Sequence, residues 1–338
     1  MILEVDGLKI HYSTRAGAVR AVDGASFAVP EGRIVGLVGE SGCGKTTAVR
    51  AIMGVLAENG RRAGGRVIFK GQTIDEQAIR KLLWRDIAYV PQSAMSSLDP
   101  VYTVGSQLVE VLTKRGNESG GAARARAAEL FDLVGLSENR LADYPHQFSG
   151  GMRQRAAIAM ALALKPSLLL ADEPVTALDV IVQRQILDVL RKLQQRLRLS
   201  MLLVTHDISV VAYLCDDVVV MYAGQVIESG PVREVLARPR HPYTMGLRNA
   251  FPDLLSDALE LVPISGSPPD LSDPPPGCRF APRCPFALAA CATTPASIAD
   301  GGTRAHASAC LRDGEADFLR KAALDPATWL RSSSYATS

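Results

Sequence analysis

Apolar and polar positions alternate over short stretches at the start of the chain. Residues 3–5, 8–10 and 25–29 place apolar side chains two apart, the period of a half-buried strand. Pro30-Glu31-Gly32 reads as a turn. The pattern then changes, because Ile34-Val35-Gly36-Leu37-Val38 is apolar without interruption. A strand of a parallel sheet, covered on both faces, has that texture. A helix is expected over 46–56 and a short strand over 67–69, set off by Gly64-Gly65 and Gly71. From about 93 to 165, Ala- and Leu-rich helical patterns dominate, including 120–134 and 151–164. Residues 168–171 and 201–204 are again short buried-strand runs, separated by a helix across 180–197. Residues 218–222 and 225–228, joined by Ala223-Gly224, predict a hairpin. Beyond His241 the regularity fades. Residues 263–285 are dense in Pro, Gly, Ser and Cys and read mostly as loop, and fraying is expected from Asp325 onward. No internal repeat is visible.

Composition narrows the function classes. A length of 338 residues suits one large domain with an appendage, or two ordinary domains, and 47% hydrophobic residues suffice for a sizeable core. Basic and acidic residues, 37 against 35, almost cancel. That balance argues against an electrostatic nucleic-acid binder, and 5% aromatics argues against base-stacking platforms. No run approaches the roughly 18 apolar residues of a membrane span. The opening MILEVDGLKIHY lacks a basic-then-apolar signal pattern. A cytosolic protein with, at most, a peripheral membrane role is expected.

The strongest chemical signal is GESGCGKT at 39–46, which fits G-x-x-x-x-G-K-[ST] between a buried strand and a helix. Glycines let the backbone turn its N–H groups toward phosphate oxygens, and the following helix directs its positive end at the same anion. Gly39, Ser41, Gly42, Cys43, Gly44, Lys45, Thr46 and Thr47 are the candidate ATP-binding set. Lys45 would reach the β- and γ-phosphates, and Thr46 would place its hydroxyl on Mg²⁺. Cys43 reads as a small spacer rather than a reactive thiol.

A second acidic site follows from Leu168-Leu169-Leu170-Ala171-Asp172-Glu173, a buried strand ending in two carboxylates. Carboxylates at the C-terminal end of a parallel strand face the crevice where ligands sit. Asp172 would hold Mg²⁺ and Glu173 would orient or deprotonate the attacking water. The plain alternative is a strand cap before a turn at Pro174.

Four further runs stand in a fixed order. They are Tyr89-Val90-Pro91-Gln92, then Gln147-Phe148-Ser149-Gly150-Gly151-Met152-Arg153-Gln154-Arg155, then Pro174-Val175-Thr176-Ala177-Leu178-Asp179, then Leu203-Val204-Thr205-His206-Asp207. Together with the phosphate loop they resemble the ABC transporter ATPases over roughly residues 1–250. The resemblance implies an α/β fold: a P-loop NTPase core with an antiparallel β-subdomain, an α-helical subdomain at about 93–165 and an irregular Cys-containing C-terminal extension. It implies an ATPase domain over 1–250, an extension over 251–315 and a tail over 316–338. By the same resemblance Tyr12 stacks on adenine, Gln92 touches Mg²⁺ or water, and His206 contacts the γ-phosphate. Ser149, Gly150, Gly151 and Met152 form the signature that binds a partner's ATP, and Asp179 communicates across the dimer. Each residue has an ordinary alternative. Tyr12 suits any strand, Gln92 a solvated loop, His206 a strand end, and Asp179 the N-cap of the next helix. The usual signature is LSGGQ, and here Phe148 and Met152 replace its first and last residues, which leaves the detailed contacts open.

The QFSGGM run resembles the oligopeptide/dipeptide importer branch, which also includes nickel and glutathione importers. Arg240-His241-Pro242-Tyr243-Thr244 and the run from Ile264 to Pro285 agree with it. That branch implies a second, non-identical ATPase subunit, two integral membrane permease subunits, an external solute-binding protein and a place on the cytoplasmic face of the membrane. Cys278, Cys284, Cys291 and Cys310 are spaced C-x5-C-x6-C-x18-C. Four thiolates suit a [4Fe–4S] cluster, zinc sites favour tighter pairs, and a tail of free thiols is the third reading. His306 is a reserve ligand or, as the plainer reading, a surface residue. A soluble ABC protein of DNA repair or translation would carry two cores, a coiled-coil insertion or a basic surface, none of which the chain shows. A regulatory subunit without turnover is disfavoured by Glu173 and His206.

Overall fold

Two sheets organise the chain, and the structure, a computed structural model, describes residues 1–15, 17–92, 97–249, 263–298 and 305–330. The first sheet is antiparallel and contains β1 (Leu3–Thr14), β2 (Gly17–Val29), β4 (Gly60–Phe69) and β5 (Gln72–Thr73), in the order β2-β1-β4-β5. The second contains β3 (Ile34–Val38), β6 (Ile87–Val90), β7 (Leu168–Asp172), β8 (Ser200–Thr205), β9 (Asp217–Tyr222), β10 (Gln225–Pro231) and β11 (Ala307–Ser308). Its order is β11-β10-β9-β3-β8-β7-β6. Strands β9, β3, β8, β7 and β6 run parallel, and β10 and β11 close the edge antiparallel.

The uninterrupted apolar runs have a direct cause. Each residue of β3, β7, β8 and β9 is buried. Alternate residues serve opposite cores: Ile34, Leu169, Met201 and Val218 face one, while Val35, Leu170, Leu202 and Val219 face the other. The second core lies between this sheet and the antiparallel one and takes in helix α1 (Lys45–Ile52). The first is built by a layer of helices, chiefly α3 (Val104–Lys114), α4 (Gly120–Leu133), α5 (Gly150–Ala161), α6 (Val180–Leu197) and α7 (Ile208–Leu214). Helix α2 (Glu76–Leu82), capped by the Asp75 carboxylate, sits at the margin and was not expected from the pattern. Of the helical region expected over 93–165, residues 93–96 lie outside the described residues.

Three differences from the sequence pattern have physical reasons. The short early strands are parts of two long ones, because bulges between Val5 and Lys9 shift the register and reset the alternation. Gly7, at φ +58°, stands at this irregularity and donates its N–H to Ser26 Oγ. Helix α1 stops at Ile52 rather than Leu56, because Gly54 turns left-handed at φ +65°. The end of the chain is held rather than frayed at 325–330. Helices α8 (Val232–Ala237), α9 (Pro242–Asn249), α10 (Ala289–Thr293), α11 (Ala316–Ala323) and α12 (Pro326–Leu330) follow β10, the last two after β11. Phe280, Leu319, Ala323 and Trp329 join the same core as Tyr243 and Met245. Trp329 lies over Gly246, and its Nε1–H donates to Ala323 O at 2.8 Å. Among the described residues no helix is long and apolar enough to cross a membrane.

Candidate active site

The phosphate loop leaves the C-terminal end of β3 and enters α1. Two of its glycines are required by space as well as by backbone. A Cβ on Gly39 would stand 2.1 Å from Met221 O, and one on Gly44, at φ +103°, 2.3 Å from Ala21 O. Ser41 and Gly42 are exposed at the tip, Thr46 and Thr47 are half-buried, and Lys45 is only 5% exposed. Lys45 Nζ donates to Gly39 O at 2.7 Å and Glu40 O at 2.9 Å, which folds the loop around the ammonium. Cys43 is buried beside it. Burial pushes its thiol above the usual range despite the neighbouring Lys45, in keeping with a packing role.

Asp172 ends β7 and is 1% exposed. Thr46 Oγ1 donates to its Oδ1 at 3.2 Å and Tyr89 OH to its Oδ2 at 3.4 Å. Burial raises its pKa, the two hydroxyls oppose that, and the Glu173 charge adds to it. Burial, together with the Asp172 charge, pushes the Tyr89 phenol up to about 12.

Glu173 is the meeting point of three strand ends. Its backbone is left-handed, φ +48°, with its N–H donated to Val204 O. Such a conformation is costly for a side chain of this kind. Gln92 Nε2 donates to Glu173 Oε2 at 2.9 Å, Thr176 Oγ1 to the same oxygen at 3.0 Å, and His206 Nδ1 lies 3.1 Å from Oε1. Gln92 follows β6, Glu173 follows β7 and His206 follows β8, so the order β6-β7-β8 brings the three together. Thr176 and Tyr89 escaped the sequence reading. Both lie in the quoted runs, but nothing local says that their hydroxyls reach a carboxylate.

A phosphate loop, a buried carboxylate and a glutamate held by glutamine and histidine thus share the C-terminal end of one parallel sheet. The description "ABC transporter" matches residues 22–176, and "Oligopeptide/dipeptide transporter, C-terminal region" matches residues 227–291. The chain is 44% identical over 296 residues to the dipeptide transport ATP-binding protein DppD of Bacillus subtilis, covering 86% of this chain and 88% of that protein. It is 44% identical over 299 residues to the oligopeptide transport ATP-binding protein OppD of Escherichia coli, covering 87% and 88%. Among solved structures, the dimeric ATP-binding cassette MJ0796 bound to ADP and Pi superposes with a TM-score of 0.61 at 28% identity, covering 68% of this chain and 99% of that one. The chain belongs to the ATP-binding proteins of ABC transporters.

In this ABC ATPase the signature opens α5. Ser149 is the N-cap, its Oγ accepting from Met152 N–H at 3.3 Å. Gly151 presses on α6, where a Cβ would meet Val182 at 2.4 Å. Both departures from LSGGQ are used in packing. Phe148 is 4% exposed with the Arg140 guanidinium over its ring, and Arg140 also reaches Met152 Sδ. Asp179 caps α6, its Oδ1 accepting from Val182 N–H at 2.9 Å. Tyr12 lies on β1, half-buried, with its ring over Gly60.

The four C-terminal cysteines converge. Cys278, Cys284, Cys291 and Cys310 line one cavity of about 20 Å³ together with His241 and Phe286. Leu288 N–H points at Cys291 Sγ and Arg312 N–H at Cys310 Sγ, each 3.4 Å away. Burial raises the thiols of Cys278, Cys284 and Cys310, the last to about 11, and backbone N–H groups of Phe280, Phe286 and Arg312 oppose the rise at each. His241 is 1% exposed, its Nδ1 accepts from Tyr243 N–H, and among the described residues its Nε2 has no partner. His306 is turned elsewhere, onto buried Glu228. Among the described residues no three or more His, Cys, Asp or Glu side chains stand in an arrangement that would hold a metal ion.

One consequence for the ABC ATPase concerns Asp172. A carboxyl whose pKa is raised on folding stays protonated where the unfolded chain has ionised. Stability is therefore lost as pH climbs from the ordinary value of 3.8 through the folded one, and the loss persists at neutral pH. Asp172→Asn is expected to raise the nucleotide-free melting temperature at pH 7 while reducing the further rise given by Mg²⁺-ATP. A lower nucleotide-free melting temperature than wild type would contradict this.

Proposed function

We propose that this chain is the ATP-hydrolysing motor of a peptide importer, with Glu173 as the residue that activates water. The observation that carries the proposal is the Glu173 carboxylate, held by Gln92 and His206 at the same C-terminal end of the sheet as the Thr46–Asp172 pair. ATP phosphates lie along the backbone N–H groups from Gly39 to Thr47, with Lys45 against the β- and γ-phosphates and Tyr12 on the adenine. Thr46, Asp172 and Gln92 are oxygen donors suited to Mg²⁺, which when bound neutralises charge on the phosphates. Water attacks the γ-phosphorus, its proton passes to Glu173, and the bond to the β-phosphate oxygen breaks to release ADP. His206 steadies Glu173 and touches the γ-phosphate.

Ser149, Gly150, Gly151 and Met152 act on ATP held by a partner. Ser149 already caps the helix whose N–H groups would meet that phosphate. Val180 and Ile181, 80% and 73% exposed beside Asp179, support a subunit contact there. The partners are a second homologous ATPase, forming a heterodimer, and two integral membrane permeases fed by a solute-binding protein. The chain then sits peripherally on the cytoplasmic face of the membrane. Peptides are the cargo class that relatives named for dipeptide and oligopeptide transport favour, and the alternative is the same motor role for nickel, glutathione or another small solute. The ATPase domain is proposed to span 1–250 and the extension 251–315, followed by the tail.

Cys278, Cys284, Cys291 and Cys310 are proposed to hold a [4Fe–4S] cluster, with zinc as the alternative. The donor types support this reading, with four cysteines lining one cavity, backbone N–H groups pointing at the sulfurs of Cys291 and Cys310, and the His241 side chain at its wall. Such a group cross-links a segment rich in loops. Purification from membranes is expected to bring down permease subunits and a second ATPase. Nucleic-acid-stimulated hydrolysis without them would overturn the transport role. Anaerobic preparation is expected to yield iron and sulfide; no bound metal, with unchanged stability in Cys278→Ser and Cys284→Ser, would leave the thiols free.

A further inference from the structure

The cysteine segment reaches the phosphate loop through Glu40, the second residue of the loop. Arg283, immediately before Cys284, is 7% exposed at its side chain and donates from Nη1 to Glu40 Oε2 at 2.8 Å. The guanidinium is itself fixed. Nε donates to Ser265 O at 3.0 Å, Nη2 to Ile264 O at 3.2 Å, and Nη1 also reaches Tyr222 OH at 3.2 Å. From the other side, Glu40 N–H donates to the hydroxyl of the fully buried Tyr243 at 2.9 Å. Tyr243 packs on Tyr222 and Phe280, and its own N–H is taken by His241, which lines the cysteine cavity. A second route runs from Cys278. Arg279, the next residue, donates to Ala223 O and pairs with Asp23, and Gly224 N–H donates to Cys43 O in the loop at 2.9 Å.

These contacts leave Glu40 little freedom. Its carbonyl accepts from Lys45, its N–H is held by Tyr243 and its carboxylate by Arg283. We propose that Arg283 and Tyr243 are positioning residues of the phosphate loop, through which the order of the four-cysteine segment sets the affinity for ATP. The proposal rests on ATP binding at the loop. Two buried arginines flank two of the cysteines, so any change that loosens Cys278 or Cys284 moves the groups that fix Glu40. By reciprocity, bound ATP must stabilise the cysteine segment by the same factor.

The test is ATP binding and steady-state turnover in the full chain. Arg283→Met is expected to weaken ATP binding and raise KM by roughly tenfold, within the usual range of coupling between sites, while kcat at saturating ATP falls much less. Arg283→Lys is expected to recover part of the affinity. Glu40→Gln, which alters only the partly exposed end of the pair, serves where Arg283→Met is poorly folded. The double variant is expected to be no weaker than the more affected single one. Cys284→Ser is expected to weaken ATP binding in the same direction, with a shift that largely disappears in the Arg283→Met background. Unchanged ATP affinity in folded Arg283→Met and Glu40→Gln would overturn the positioning role. A Cys284→Ser shift that adds in full to that of Arg283→Met would overturn the coupling. A wild-type chain that binds no ATP would instead defeat the nucleotide assignment itself.

Discussion

Glu173→Gln is expected to cut ATP turnover by roughly 10²–10⁴-fold, the usual worth of a positioned proton acceptor, while ATP binding stays close to wild type. The amide matches the carboxylate in shape, so Gln92, Thr176 and His206, all within 3.1 Å of the carboxylate, keep a partner. What disappears is the acceptor for the proton of the attacking water. ATP then remains where it was bound, and a closed dimer accumulates. Measurement of single-turnover hydrolysis beside the elution volume in Mg²⁺-ATP separates the two effects. Wild-type turnover in the variant would show that another residue activates water.

Lys45→Met is expected to act on the opposite half of the cycle and lower ATP affinity on the order of 100-fold. Hydrogen bonds to charged groups contribute roughly 1.5–3 kcal/mol each, and about 3 kcal/mol corresponds to a little over two decades in Kd. The fold is expected to survive, because Met is an unbranched apolar side chain of similar volume and its site is 5% exposed. The cost there is confined to two carbonyls, Gly39 O and Glu40 O, that lose their donor. Equilibrium binding of ATP beside a melting curve checks this. Undiminished affinity in a folded variant would place the phosphates elsewhere. The pair of variants therefore divides binding from chemistry: one does not hold ATP, the other holds it without hydrolysing it.

The central sheet was legible because double burial leaves a mark in the chain. Val35 and Leu37 must be as apolar as Ile34 and Val38 when both faces carry a core. The carboxylates of Asp172 and Glu173 were legible for the same reason, as the first charges after such a run. Their partners were not. That Gln92 and His206 close on Glu173 depends on β6 and β8 flanking β7, a fact of sheet order with no local trace. The resemblance to ABC ATPases singled out both residues, as contacts to Mg²⁺ or water and to the γ-phosphate, and not as partners of Glu173. The long hairpin of β1 and β2 was hidden by bulges that break the period of two. The C-terminal segment was read as irregular because its order comes from distant contacts. Phe280 packs on Tyr222 and Tyr243, Trp329 on Gly246, and Arg283 on Glu40, pairs that no periodicity announces. The composition of that segment showed its turns and thiols and concealed its attachment to the phosphate loop.

The most direct test of a peptide-import motor is ATP hydrolysis by the chain assembled with its permease subunits and second ATPase in lipid vesicles, measured with and without a peptide-loaded binding protein. The loaded binding protein is expected to raise turnover, and Glu173→Gln to remove the rise. Hydrolysis at one unchanged rate, indifferent to the membrane subunits and to the peptide, would contradict it.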